Sequence, residues 1–81
     1  MSEDELKQLI VAAIQEVAPE IEESDIDPDE DIREECDIDS MDFLNFLAEL
    51  KKNSGVTIPE ADYPQVNTLT KMLKYMAERL G

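Results

Sequence analysis

The spacing of apolar residues at the start of this chain constrains its fold more than any other feature. Apolar side chains there recur three and four positions apart, which is the spacing of one helical face. Ser2 and Glu5 fit a capping box at the start of this helix, and Pro19 indicates its end. An apolar face of this kind predicts other helices packed against it. The face consists of Leu6, Leu9, Ile10, Ala13, Ile14 and Val17.

A second helix is predicted from about Ser40 to Asn53. Its polar residues form one narrow stripe and most of its other residues are apolar, as expected of a central helix. Gly55 is predicted to end the helix in the left-handed conformation, because glycine has no Cβ to clash there. The polar stripe consists of Asp42, Asn45, Glu49 and Lys52.

The last helix is predicted to begin after Asn67 or Thr68, since either residue can cap it. A short turn of helix is predicted from Pro59 to Tyr63, ended by Pro64. The core face of the last helix is predicted to comprise Leu69, Leu73, Met76, Ala77 and Leu80.

Between Pro19 and about Ile38 the chain is rich in Asp and Glu and has no sustained period, which predicts a long loop. These patterns together predict an all-α bundle of four helices, with three long helices, one short helix and a long first loop. A chain of 81 residues has room for one domain, residues 1–81. The loop is predicted to be pinned onto the helices by Ile21, Ile26, Ile32 and Ile38.

The charge of the chain argues against several classes of partner. It has 21 Asp and Glu against 7 Lys and Arg, a net charge of -14. Such a surface repels nucleic-acid phosphates and anionic lipids and attracts basic protein patches, although it also suits simple solubility. We therefore expect a monomer with no nucleic-acid or membrane partner. The acidic N-terminus is unlike a secretory or transit peptide, which predicts a cytoplasmic location.

Few residues in the chain can carry chemistry. Histidine is absent and Cys36 is the one cysteine, which excludes imidazole-based catalysis and an internal disulfide. Alternate aspartates from Asp25 suggest a calcium loop, but Glu30 stands where glycine is needed and Cys36 where a bidentate glutamate is needed. No metal site is predicted. The thin core of so small a domain favours a carrier or binding module over an enzyme.

Asp39-Ser40-Met41 is the most informative motif. Serine and aspartate are common at helix starts because they cap, so the tripeptide alone is weak evidence. Here it opens an apolar helix after a long acidic loop, and Ile58-Pro59-Glu60 and an amphipathic last helix follow. In this arrangement and in its length, the chain resembles acyl carrier proteins over nearly its whole extent. The resemblance implies an all-α four-helix bundle of acyl-carrier type.

The resemblance implies that a phosphopantetheinyl transferase attaches 4′-phosphopantetheine from coenzyme A to Ser40, flanked by Asp39 and Met41. The arm would hold acyl groups as thioesters for loading ligases, synthases and other acyl-processing enzymes with basic docking patches. These enzymes would serve fatty-acid, lipid or secondary-metabolite biosynthesis. Two other functions stay open: a peptidyl or aryl carrier of nonribosomal synthesis, and an acidic helical interaction domain that is never modified.

The chain also departs from the family pattern. Many members have Leu and Gly where this chain has Cys36 and Asp37, so Cys36 is predicted to be a small buried hydrophobe. Asp37 is predicted either to strain a turn that glycine would ease or to give the loop a different path. Lys51 and Lys52 stand on a helix face that is usually acidic, which predicts a specialised carrier serving dedicated enzymes. Partner recognition is assigned to Asp37, Asp42, Asn45, Glu49 and Lys52.

An acyl-chain slot is predicted between the helices, although its residues also suit ordinary core packing. The bulk of Phe43, Phe46 and Tyr63 predicts a tight slot for short or unusual acyl groups. The slot is predicted to be lined by Leu47, Leu50, Ile58, Tyr63, Val66 and Leu69.

Overall fold

Three long helices account for most of residues 2–80, the part of the chain that the computed structural model describes. The α-helices are α1 (Glu3–Val17), α2 (Ile32–Glu35), α3 (Ser40–Ser54) and α4 (Leu69–Leu80). A first 3₁₀ helix spans Glu23–Asp25 and a second spans Glu60–Gln65. The apolar face of α1 packs against α3 and α4. The predicted all-α bundle with three long helices is confirmed.

Ser2 caps α1 as the sequence predicts, through one of the two hydrogen bonds of a capping box. Ser2 Oγ accepts a hydrogen bond from the backbone N–H of Glu5 at 3.2 Å. The helix ends at Val17, where Ala18 precedes Pro19. The predicted face is confirmed as the packed one, with Leu9 and Val17 only partly buried. Val11, which the prediction omitted, is buried as well. The buried residues of α1 are Leu6, Ile10, Val11, Ala13 and Ile14.

The long loop is more structured than predicted. It contains the first 3₁₀ helix and the single turn of α2, which are too short to show a period in the sequence. Side chains stabilise both: Asp25 Oδ2 accepts from Glu22 N, and Asp31 Oδ1 accepts from Arg33 N. The predicted isoleucine anchors are confirmed. Ile26, Ile32 and Ile38 are buried, and Ile21 packs partly buried against the same core.

α3 begins at Ser40 as predicted and ends one residue late, at Ser54. Gly55 has the predicted left-handed conformation, with φ 77°. The helix is less enclosed than a central helix would be. Met41 is 71% exposed and Leu44 is 50% exposed. In this small bundle α3 contacts neighbours on one side only, so one apolar stripe stays in solvent. The buried residues of α3 are Phe43, Phe46, Leu47 and Leu50.

Pro64 does not end the short helix, because a 3₁₀ helix through Gln65 accommodates it. Thr68, rather than Asn67, caps α4: its Oγ1 accepts from Lys71 N at 3.1 Å.

The predicted core face of α4 is only partly correct. Leu69 and Met76 are buried and Leu73 is partly buried, but Ala77 and Leu80 are exposed. Met72 and Tyr75 are buried in their place. A buried tyrosine is tolerated here because its hydroxyl donates a 2.6 Å hydrogen bond to Asp62.

The turn from α2 to α3 explains the strain predicted at Asp37. Asp37 N–H donates to Glu34 O and Ile38 N–H to Arg33 O, the pair of bonds that defines a Schellman cap. In that cap the residue after the C-cap has a positive φ, and Asp37 has φ 52°. Glycine is the usual residue at this position, and Asp is among the few others that tolerate it.

Cys36 is 4% exposed, which confirms it as a small buried hydrophobe. Burial raises the pKa of its thiol, and the nearby carboxylate of Glu35 raises it further. The thiolate is the reactive form of cysteine, so both effects suppress the reactivity of Cys36.

We predict opposite effects for two substitutions at Asp37. Asp37→Gly should raise the free energy of unfolding by about 0.5 kcal/mol, because glycine relieves the positive φ. Asp37→Ala should lower it by about 1 kcal/mol, because Ala lacks the local hydrogen bonding that helps Asp tolerate this conformation. Urea denaturation followed by circular dichroism measures both. Equal stability of the two variants would show that the positive φ costs nothing.

Cys36 is predicted to make stability fall at alkaline pH. Its pKa is raised in the folded protein, so its contribution is complete below the pKa of the unfolded thiol and is lost as pH rises. The free energy of unfolding should therefore decline above about pH 8.5. Cys36→Ala should flatten that slope, although its cavity lowers stability at every pH. The pKa of Tyr75 is also raised, so Tyr75 lowers the stability of both the wild type and Cys36→Ala at still higher pH. An unchanged slope in Cys36→Ala would contradict the prediction.

Candidate functional site

Ser40 is the first residue of α3 and its side chain is exposed. Asp39 caps the helix: its Oδ1 accepts from Asp42 N at 2.8 Å, and its backbone O accepts from Phe43 N at 2.9 Å. Helix geometry leaves the N–H groups of Ser40 and Met41 without an intrahelical acceptor. The serine hydroxyl therefore lies at the positive end of a 15-residue helix, beside unpaired donors.

The surroundings of Ser40 do not activate it as a nucleophile. Within residues 2–80 no hydrogen bond involves its hydroxyl, and the chain has no histidine to serve as a base. The carboxylate of Asp39 is engaged as a cap. A hydroxyl of this kind suits a residue that another enzyme modifies.

A groove opens beside Ser40. One part of it has a volume of about 320 Å³ and is lined by Arg33, Ser40, Phe43, Leu44, Glu60 and Tyr63. A neighbouring part of about 190 Å³ shares Arg33, Phe43 and Tyr63 and is also lined by Pro64 and Asn67. The two parts therefore lie along the same aromatic wall. We call them together the Ser40 groove.

Aromatic and cationic groups form this wall. The rings of Phe43 and Tyr63 meet edge to face with centroids 5.8 Å apart. The guanidinium carbon of Arg33 lies 5.3 Å from the centroid of Phe43, within cation–π range. The groove is therefore amphipathic, with apolar faces and one cation.

Most of the residues that line the groove were missed by the sequence reasoning. It assigned no site role to Arg33, Leu44, Glu60 or Asn67, and it took Phe43 only as bulk beside the slot. One signal was present: Arg33 is the only basic residue between Lys7 and Lys51. An isolated cation in a long acidic stretch marks a position with a specific neighbour.

The six residues predicted to line an acyl-chain slot are divided between the Ser40 groove and the core. Tyr63 alone among them lines the Ser40 groove. Leu47, Leu50, Val66 and Leu69 are buried in the closed core, and Ile58 is partly buried at its edge. The slot therefore remains a prediction that requires the core to open.

The residues predicted for partner recognition differ in exposure. Asp37, Asn45 and Lys52 are exposed, as is Lys51, whereas Asp42 and Glu49 are partly buried. None of the ion pairs within residues 2–80 involves Lys51 or Lys52. Met41 and Leu44 add apolar surface that the sequence reasoning did not assign to this face. The exposed face of α3 is thus apolar near Ser40 and basic near its C-terminal end.

The described residues offer neither a metal site nor a membrane span. No group of three or more His, Cys, Asp or Glu side chains is arranged to hold a metal ion. Every helix between residues 2 and 80 is too short or too polar to cross a lipid bilayer.

Comparison with known proteins identifies the family. A profile described as a phosphopantetheine attachment site matches residues 8–76. The chain is also 27% identical over 75 residues to the acyl carrier protein of Rubrobacter xylanophilus, covering 89% of this chain and 93% of that protein. The chain therefore belongs to the phosphopantetheine-binding acyl carrier protein family, whose members are carriers rather than enzymes and whose cofactor is 4′-phosphopantetheine.

Proposed function

We propose that this protein carries acyl intermediates as thioesters on a 4′-phosphopantetheine arm attached to Ser40. It would present them to enzymes of fatty-acid, lipid or secondary-metabolite biosynthesis in the cytoplasm. The observation that carries the proposal is the position of Ser40: an exposed hydroxyl on the first residue of α3, at the mouth of a groove.

The other serines of the matched region are poorer attachment points. The hydroxyl of Ser54 donates to Leu50 O at 2.6 Å and accepts from Val56 N at 3.2 Å, so it is part of the end of α3. Ser24 lies in a 3₁₀ helix of three residues, which has no appreciable dipole. Ser40 alone among the three combines exposure with the start of a long helix.

The residues around Ser40 fit a phosphodiester. Unpaired N–H groups and the positive end of the helix dipole favour an anion at this position. The nearby carboxylates of Asp37, Asp39 and Asp42 oppose it, so the local field favours partners that bring cations. When bound, the arm supplies a terminal thiol that holds the acyl group as a thioester. In the transfer, the Ser40 oxygen would attack the phosphorus of coenzyme A that carries the arm, adenosine 3′,5′-bisphosphate would leave, and the hydroxyl proton would pass to a base of the transferase.

The exposed face of α3 supports a set of dedicated partners. Met41 and Leu44 offer an apolar contact close to Ser40, whereas Lys51 and Lys52 would repel a basic docking patch that extends along the helix. We infer that the transferase and the loading and processing enzymes engage the Ser40 end of α3, where exposed Met41 and Leu44 lie close to acidic residues. At the other end of α3 they should carry neutral or acidic groups.

Ser40→Ala tests the attachment point. Incubation with coenzyme A and a broad-specificity phosphopantetheinyl transferase should raise the intact mass of the wild type by one phosphopantetheinyl group. Ser40→Ala should stay unmodified because it lacks the accepting oxygen. Ser24→Ala and Ser54→Ala are matched controls and should be modified like the wild type.

An unmodified wild type under conditions that load another carrier would refute the proposed function. Modification of Ser40→Ala would refute the assignment of Ser40 alone. Mass spectrometry of the acylated protein from its native host would then distinguish acyl cargo from peptidyl or aryl cargo.

Reversing the lysine charges on α3 tests partner choice. Lys51→Glu with Lys52→Glu should raise the kcat/KM of a transferase that docks through a basic patch by about 2- to 10-fold, through faster encounter. The gain should shrink as salt is added. Lys71→Glu with Lys74→Glu makes the same charge change on α4 and should have a much smaller effect. Equal gains in both double variants would show that net charge alone matters.

A further inference from the structure

Asp62 ties the second 3₁₀ helix, Glu60–Gln65, to α4. Its Oδ2 accepts a hydrogen bond from the Tyr75 hydroxyl at 2.6 Å and another from Arg79 Nη2 at 3.3 Å. Its other carboxylate oxygen, Oδ1, accepts from Gln65 Nε2 at 3.3 Å. Within residues 2–80, each hydrogen bond from this helix to a different element ends on Asp62 Oδ2. We call Asp62, Tyr75 and Arg79 the Asp62 latch.

The bond from Tyr75 is the stronger of the two that hold Asp62 to α4. Tyr75 is only 4% exposed, and a short bond from a buried hydroxyl to a carboxylate is charge-assisted. The Arg79 side chain is 40% exposed, so its ion pair with Asp62 adds little by itself. Its guanidinium carbon lies 3.8 Å from the centroid of the Tyr75 ring and covers the pair. Movement of the second 3₁₀ helix away from α4 would therefore leave a buried hydroxyl unpaired.

The segment that the latch holds forms one side of the predicted acyl-chain slot. Ile58, Tyr63 and Val66, three of its six predicted residues, lie in or beside the second 3₁₀ helix. Protein interiors are closely packed, so an acyl chain can enter this core only if a segment moves aside. The long helices α3 and α4 are each packed on α1, whereas residues 58–66 form a short connection that can move at lower cost. The Asp62 latch therefore opposes the movement that would open the slot.

We propose that the Asp62 latch determines the length of the acyl group that this carrier favours. While the latch is closed, short and long acyl groups alike stay outside the core. A long chain left in water is disfavoured in proportion to its apolar area, so the closed latch selects short cargo. Asp62, Tyr75 and Arg79 act by positioning the second 3₁₀ helix and need no contact with the cargo. This inference rests on the proposed attachment at Ser40.

The test compares a short and a long acyl group on the same protein. A broad-specificity transferase with butyryl- or octanoyl-coenzyme A attaches the arm and the acyl group together, and intact mass establishes loading. The rate at which hydroxylamine cleaves the thioester then measures how far the acyl group is sheltered. The wild type should lose both groups at equal rates. Tyr75→Phe should lose octanoyl about two- to five-fold more slowly than butyryl, as expected when one net hydrogen bond no longer opposes opening.

A second variant and a matched control separate the latch from general effects. Arg79→Gln removes the weaker donor and should slow the loss of octanoyl relative to butyryl by a smaller factor. Lys74→Gln makes the same charge change at an exposed position of α4 outside the latch, and its two rates should stay equal. A variant that is merely less stable would not shelter octanoyl, so the dependence on chain length reports the latch itself.

The outcomes are distinct. No gain in mass means that the proposed attachment fails, and this inference fails with it. A loaded wild type that already loses octanoyl more slowly than butyryl would overturn the inference alone, because the core would admit a long chain with the latch closed. Equal rates in a folded Tyr75→Phe would also overturn it. If Tyr75→Phe does not fold, Arg79→Gln decides in the same way, since it leaves the buried hydroxyl paired with Asp62.

Discussion

The cap that Asp39 places on α3 is the interaction on which the candidate site depends. By accepting from Asp42 and Phe43, Asp39 makes Ser40 the first helical residue. Burial of Ile38 on one side and of Phe43 on the other holds the cap against the core. A shift of one residue would rotate Ser40 by about 100° around the helix axis, away from the groove. The position of the hydroxyl is thus set by local hydrogen bonds and fixed in space by packing.

The path of the first loop depends on a second set of constraints. Ile26 and Ile32 are buried, and backbone hydrogen bonds run from Ile32 N to Asn67 O and from Thr70 N to Pro28 O. These bonds bring α2 beside the start of α4 and place Arg33 over Phe43. The wall of the Ser40 groove therefore comes from segments far apart in the chain. In a domain with so thin a core, an amphipathic groove of this kind forms between elements rather than within one.

Features governed by neighbouring residues could be predicted, and features governed by distant ones could not. The cap at Ser2, the end of α3 at Gly55 and the strain at Asp37 each follow from backbone preferences within a few residues. The prediction for the core face of α4 is partly wrong because it omits Tyr75. This residue is buried with its hydroxyl hydrogen-bonded to Asp62, thirteen residues away. A hydrophobicity pattern ranks tyrosine as a surface residue unless that partner is known. The same limit applies to Met41 and Leu44. Their exposure depends on which side of α3 the other elements pack against, and neighbouring residues do not determine that.

The sequence by itself determined the all-α class, the three long helices and the helix start at Ser40, because periodicity and capping act within one or two turns. It also indicated the family through Asp39-Ser40-Met41 and its surroundings. Only the tertiary structure decided what lies beside Ser40. Arg33, Phe43, Tyr63 and Asn67 share no sequence period, and their meeting depends on how the loop and the second 3₁₀ helix pack around α3. Local preferences specify each element, but burial of apolar surface between elements selects which side chains become neighbours.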